Sequence, residues 1–124
     1  MREHVSEAEG IFFVDKLGWV TTESNVSYVV SIHERCGAKS IEWVSRRGLQ
    51  FDTAKMEAAL FTGRRGHRIY LRQNLTATIR VGHGSILFNP QAACWPGLWM
   101  DAHLTFKEHH KRCMKKARAA AVRL

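Results

Sequence analysis

The sequence has few of the features that mark specialised proteins: paired cysteines, proline-rich linkers and long apolar runs. Its three cysteines are an odd number at wide spacing, which argues against a disulfide framework and indicates reduced thiols. No apolar run approaches the ~18–20 residues that cross a bilayer, and the first residues lack the apolar core of a signal peptide. We therefore expect a cytoplasmic protein without a membrane partner.

Acidic residues are scarce in the second half of the chain. Residues 1–57 hold seven Lys/Arg and nine Asp/Glu, whereas residues 58–124 hold twelve Lys/Arg and two Asp/Glu. The formal net charge of the whole chain is +8. Such an asymmetry suggests a polyanionic partner for the second half. The alternative is a protein of high isoelectric point whose cations are only solvated.

The length of 124 residues fits one domain over residues 1–124 with a modest core. Residues 1–9 are polar and predicted to be loosely ordered. Residues 10–14 and 19–22 are short apolar or β-branched runs on either side of a turn, which predicts an opening hairpin.

The next segment, residues 24–37, fits two structures. Alternating β-branched residues favour a strand, but a Ser24 or Asn25 cap at one end and Gly37 at the other favour a helix, which is our prediction. Residues 39–44 resemble a strand that is closed by residues 46–48. Asp52 is then expected to cap a short helix that ends at Gly63.

Three β-rich runs follow, at residues 67–72, 75–81 and 85–88, with turn residues between them. They predict a three-stranded antiparallel meander. The segment 93–100 is apolar but contains proline and glycine, which break regular structure. Its tryptophans, Trp95 and Trp99, are expected to plug the core or to form a patch for a protein partner.

A basic amphipathic helix is predicted over residues 104–124. At ~100° per residue, one side is cationic. The other side is apolar and built from small residues, which suits packing on a sheet or on the same helix of a second copy. The residues expected on the packed side are Phe106, His110, Cys113, Ala117, Ala120, Ala121 and Leu124.

Together these elements predict an α+β fold. We expect a small single domain in which an antiparallel sheet is combined with two short helices and a long basic amphipathic C-terminal helix. A homodimer through that C-terminal helix is one possible assembly.

Basic side chains near an aromatic ring make the strongest candidate site. On the predicted strand 67–72, Arg68, Tyr70 and Arg72 share one face, where they suit phosphate contacts and base stacking. The alternative is a polar outer face whose arginines, Arg80 among them, pair with Glu42, Asp52 or Glu57. The candidate nucleic-acid-binding residues are Arg64, Arg65, Arg68, Tyr70, Arg72, Lys107, Lys111, Lys115 and Arg118.

Metal binding and catalysis have weaker support. His109 and Cys113 are four residues apart on the C-terminal helix, but no complete ligand set is apparent, so no metal or cofactor is expected. The group His33-Glu34-x-Cys36 offers base, acid and thiol types that a helix points in different directions. His67 and His83, beside arginines, are weak candidates for the general acid or base of a ribonuclease.

The leading hypothesis is a non-enzymatic protein that binds nucleic acid or another polyanion through a basic sheet face and a basic C-terminal helix. The first alternative is a protein-interaction module, such as a small inhibitor or accessory protein of a phage or mobile element, which binds a larger protein. The second is a small metal-independent ribonuclease. A small-ligand cavity is neither favoured nor excluded.

Overall fold

The computed structural model describes residues 8–13, 15–62, 77–88 and 92–123. By their contacts they form two compact units, one from residues 8–56 and 77–87 and the other from residues 57–62, 88 and 92–123. Each unit combines antiparallel strands with a helix, so the predicted α+β class is confirmed. The expectation of a single domain stays a prediction.

An antiparallel hairpin opens the first unit, as predicted. Strands β1 (Glu9–Phe13) and β2 (Lys16–Val20) pair with Gly10 opposite Trp19. The predicted loose segment over residues 1–9 stays a prediction, and the structure describes only its last two residues. Ala8 packs against the core cluster and Glu9 begins β1. Residues 1–7 lie outside the described part of the chain.

Helix α1 (Val26–Ser45) is the main core element of the first unit. The Asn25 side chain caps it by accepting the Tyr28 N–H at 3.3 Å, which confirms the predicted start. Four of its five buried residues recur every four positions, so they form one ridge along the helix. The residues of this ridge are Ile32, Cys36, Ser40 and Val44.

The hairpin is joined to α1 through Trp19. Its indole N–H donates to the Ser40 hydroxyl at 2.9 Å, and that hydroxyl donates to the Cys36 carbonyl at 2.8 Å. The indole ring also covers Gly10, where an added Cβ would lie 3.1 Å from a ring carbon. Trp19 therefore packs on Ile32 and Cys36 while its indole N–H remains hydrogen-bonded.

The predicted end of this helix at Gly37 and the predicted strand over 39–44 are both wrong. Helix α1 continues to Ser45, and the turn at residues 46–48 follows it with Gly48 at φ 70°. A Cβ at Gly37 would lie 3.3 Å from both Val81 methyl groups. This glycine therefore serves a close approach of the helix to a strand rather than a helix end.

The predicted helix over 52–63 is also wrong. Asp52 does act as a cap, by accepting the Ala54 N–H at 3.2 Å, but only a 3₁₀ turn over Thr53–Lys55 follows. Met56 is already extended, and Ala58 forms a parallel bridge with Phe88. A nonlocal pairing thus replaces the local helical pattern. Gly63 lies outside the described residues.

Two strands of the predicted meander are present. Strands β3 (Thr78–Val81) and β4 (Gly84–Leu87) pair antiparallel across a turn in which Gly82 has φ 59°. Ile79 and Val81 are buried, and β3 packs against α1. The third strand, at 67–72, lies outside the described residues.

The second unit contains a hairpin that was not predicted from the sequence. Strands β5 (Ala92–Trp95) and β6 (Leu98–Asp101) pair across Pro96 and Gly97, the latter at φ 79°. The proline and glycine interpreted as breaking regular structure form the turn of this hairpin. Helix α2 (Lys107–Val122) follows β6. No helix in the described ranges combines the length and apolarity needed to cross a membrane.

Candidate polyanion-binding helix

A short polar turn joins β6 to α2 and sets where the helix begins. The Asp101 carboxylate accepts the backbone N–H groups of His103 at 3.1 Å and Thr105 at 2.8 Å, and it also bonds the Thr105 hydroxyl. The hydroxyl, more than any other group, lowers the pKa of Asp101. Leu104 and Phe106 have left-handed backbone (φ 54° and 59°), so the helix begins at Lys107 and not at 104.

Helix α2 is held to the hairpin by polar and stacking contacts. The Arg112 guanidinium lies 3.7 Å from the centroid of the Trp99 ring, and its Nε donates to Glu108 Oε1 at 2.7 Å. The Trp99 backbone N–H donates to His109 Nδ1 at 3.3 Å. Glu108, His109 and Arg112 are accordingly the partly buried residues of α2. We call these three residues the docked face.

The predicted packed side of the helix does not face the hairpin, and its packing on the same helix of a second copy stays a prediction. His110, Cys113 and the alanines at 117, 120 and 121 are exposed, as is Phe106, while Leu124 lies outside the described residues. Alanine side chains bury little apolar area. The Trp99 ring instead offers a broad surface to which a guanidinium is attracted. The helix therefore turns its Arg112 side, rather than its alanine side, to the hairpin.

A line of cations, the basic stripe, runs along another side of α2. All of its members are exposed, and none makes an ion pair with a residue that the structure describes. At ~100° per residue the stripe covers roughly 80° of the helix and is centred about 120° from the docked face. The basic stripe consists of Lys107, Lys111, Lys115 and Arg118.

The other candidate basic residues have different outcomes. Arg64, Arg65, Arg68, Tyr70 and Arg72 lie outside the described residues, so the structure brings together only the four helical members of the predicted surface. That surface stays a prediction as a whole.

Arg80 belongs to the first unit, where its Nε lies 3.5 Å from Glu34 Oε1 and its backbone N–H donates to the same oxygen. Arg80 is thus paired with an acid, as the alternative interpretation expects, but the acid is Glu34 rather than Glu42, Asp52 or Glu57.

The histidines proposed for catalysis are not assembled into a site by the described residues. His83 is exposed in the turn between β3 and β4, and His67 lies outside the described residues. On α1, burial lowers the pKa of His33, Glu34 is bound to Arg80, and Cys36 is fully buried. These three side chains of α1 therefore do not act on a common atom.

The described residues also contain no group of three or more His, Cys, Asp or Glu side chains placed to hold a metal ion. His109 and Cys113 do meet, with Nε2 and Sγ 3.5 Å apart. The other ring nitrogen of His109 is already bonded to the Trp99 backbone.

Trp99, Glu108 and Arg112 were missed as positioning residues. Two signals in the sequence were available: Pro96-Gly97 between two tryptophans, which is typical of a hairpin turn, and the i,i+4 Glu-Arg pair. Neither signal reveals that the arginine covers the second tryptophan.

Comparison with known proteins finds no family model, no curated protein and no solved structure that matches this chain.

Proposed function

We propose that the protein binds nucleic acid or a similar polyanion, without catalysing a reaction, through the basic stripe of α2. The observation that supports this proposal is that different sides of the helix carry the attachment and the exposed cations. Glu108, His109 and Arg112 attach it to the hairpin, while the four cations of the stripe are exposed and have no ion-pair partner among the described residues.

The charges on α2 favour binding of an external anion. Its one acidic residue, Glu108, is already paired with Arg112 on the docked face. Lys107, Lys111 and Lys115 are spaced four apart, and like charges at that spacing destabilise a helix by roughly 0.2–0.5 kcal/mol per pair. A bound polyanion removes this repulsion, whereas the apo protein relies on solvent and salt to screen it.

The length of the stripe suits a phosphate backbone. From Lys107 to Arg118 the helix rises about 16 Å. One strand of a duplex presents about five phosphates over that distance, so four cations in a line can each meet one. The stripe carries no aromatic or amide side chain that would read base edges, which favours binding with little sequence preference. The predicted strand with Tyr70 would add stacking contacts.

Salt dependence is the experiment that tests this function. Nuclease-treated protein is titrated into labelled single- and double-stranded DNA and RNA over a series of salt concentrations. Four phosphate contacts predict a log–log slope of about −3.6 on duplex DNA. The double variant Lys111→Ala/Lys115→Ala should reduce the slope by about 1.8, while Lys16→Ala/Lys39→Ala, with the same charge change in the first unit, should not.

Other results of these experiments would favour a different function. Affinity that is independent of salt, or no binding at low salt, would contradict the proposal. Capture of an acidic protein by nuclease-treated material, without nucleic-acid binding, would favour the interaction module. RNA cleavage that disappears in His67→Ala or His83→Ala would favour the ribonuclease.

A further inference from the structure

The Cys113 thiol on α2 is paired with a histidine that the fold orients. Cys113 is exposed, and its Sγ lies 3.5 Å from Nε2 of His109, one helical turn earlier. This pair lies on nearly the opposite side of the helix from the basic stripe, at about 175° from its centre.

The fold also decides which nitrogen of His109 carries the proton. Nδ1 accepts the Trp99 backbone N–H at 3.3 Å, so the neutral ring has its own proton on Nε2. Nε2–H therefore donates toward the Cys113 sulfur. The ring that the Trp99 backbone orients therefore offers a hydrogen-bond donor to the thiolate form of Cys113, which is the form that acts as a nucleophile.

The surroundings distinguish this thiol from the other two. Cys36 is fully buried in the core cluster and Cys94 is partly buried in β5, so Cys113 is the most accessible cysteine. Lys116 follows it by three residues and lies on a neighbouring part of the same helix surface. The cation favours the approach of a reagent that carries a negative charge.

We propose that Cys113 is a modification site for small disulfides that carry carboxylates, a class to which oxidised glutathione belongs. The thiol loses its proton to water, and the thiolate receives the N–H of His109. The sulfur then attacks one sulfur of the reagent, a new disulfide forms, and the second half leaves with the electron pair as a thiolate. This chemistry is independent of polyanion binding.

The test measures thiol–disulfide exchange of the native, full-length protein. The probe is dithionitrobenzoate, a dicarboxylate disulfide, and mass spectrometry identifies the modified residue. We expect one fast phase that modifies Cys113 and is absent in Cys113→Ser. Reaction of Cys94 at the same rate or faster would overturn the proposal.

A matched pair of variants tests the role of His109. His109→Asn retains an acceptor near the position of Nδ1 for the Trp99 N–H but removes the donor that faces the sulfur, and the control is His110→Asn. Loss of one hydrogen bond to the sulfur predicts about a fivefold slower reaction for His109→Asn. The rate of the control should not change. Equal rates in both variants would contradict the proposal.

A second variant tests the reagent class without disturbing the docked face. Lys116→Ala should slow dithionitrobenzoate but leave the uncharged dithiodipyridine unaffected, and Lys39→Ala, which removes an exposed lysine of α1, is the control. Equal slowing of both reagents, or of neither, would exclude selection for anionic disulfides.

Discussion

The two helices α1 and α2 differ in how they are attached, although an arginine stacks on a tryptophan at each of them. In the turn after α1, Arg47 covers Trp43 of that helix at 3.8 Å, whereas in α2, Arg112 covers Trp99 of the neighbouring hairpin at 3.7 Å. The first contact adds little to the attachment of α1, because this helix already buries a ridge of mostly apolar side chains. The second contact is part of the attachment itself, because none of the residues of α2 is buried.

Their cations differ in the same way. Around α1, Arg46 pairs with Glu42, and Glu34 pairs with Arg80 of β3. On α2, Arg112 is paired, and the basic stripe has no partner among the described residues. Both acidic residues of α1, which contributes to a core, are thus paired with arginines, while α2, which is held by one face, retains an exposed line of cations. Each of the following experiments tests one part of this contrast.

The largest effect is expected from truncating the ridge of α1. Ile32→Ala removes a fully buried side chain and should lower the free energy of unfolding by about 2–5 kcal/mol. Met114→Ala on α2, where the side chain is 41% exposed, should change it by less than about 0.5 kcal/mol. Urea denaturation of both variants measures the difference. Similar losses would show that α2 also contributes to a core.

The next effect concerns the close approach of α1 to β3. Gly37→Leu places a side chain against Val81 and should destabilise the protein by about 1–3 kcal/mol, because a packed contact has no room for it. Ala38→Leu, at the exposed neighbouring position, is the control and should be close to neutral. Thermal or urea unfolding distinguishes them. An unchanged stability for Gly37→Leu would contradict the packing role assigned to this glycine.

A smaller effect is expected from the stacked arginines. Arg112→Ala should destabilise the docking of α2 by about 1 kcal/mol, because it removes a partly screened ion pair and a cation–π contact together. Arg47→Ala removes a stack between α1 and the turn that follows it and should have about half that effect. Hydrogen exchange of the amides of α2 measures the first change. Faster exchange of the α2 amides in Arg47→Ala than in Arg112→Ala would contradict the assignment of Arg112 to the attachment of α2.

The smallest effect is expected from pH. Burial lowers the pKa of His33 below its usual value of 6.5, so the unfolded chain binds a proton more readily than the folded one. Titration of His33 therefore does not reduce the free energy of unfolding above pH 6.5. Below that pH the free energy of unfolding decreases as pH falls through the folded pKa of His33. His33→Leu should flatten this part of the stability curve, and His110→Leu on the exposed surface of α2 should not. Urea midpoints across this pH range provide the measurement.

Local signals predicted where several elements begin and turn. The cap at Asn25, the hairpin of β1 and β2 and the turn at Gly82 all depend on residues within a few positions of one another. The same signals failed wherever a distant residue took part. Gly37 resembled a helix end because its contact with Val81 is 44 positions away in the chain, and residues 56–58 resembled a helix because the bridge to Phe88 is nonlocal.

For the candidate site, the charge asymmetry and the line of four cations were visible in the sequence, because composition and helical spacing need no tertiary information. The sequence alone also determined the α+β class and the caps at Asn25 and Asp52. Only the tertiary structure decided where α1 ends, that residues 93–100 form most of a hairpin, and which side of α2 is attached. The physical reason is that periodicity defines the faces of a helix, but the surface that meets it, here the Trp99 ring, selects the face that is buried.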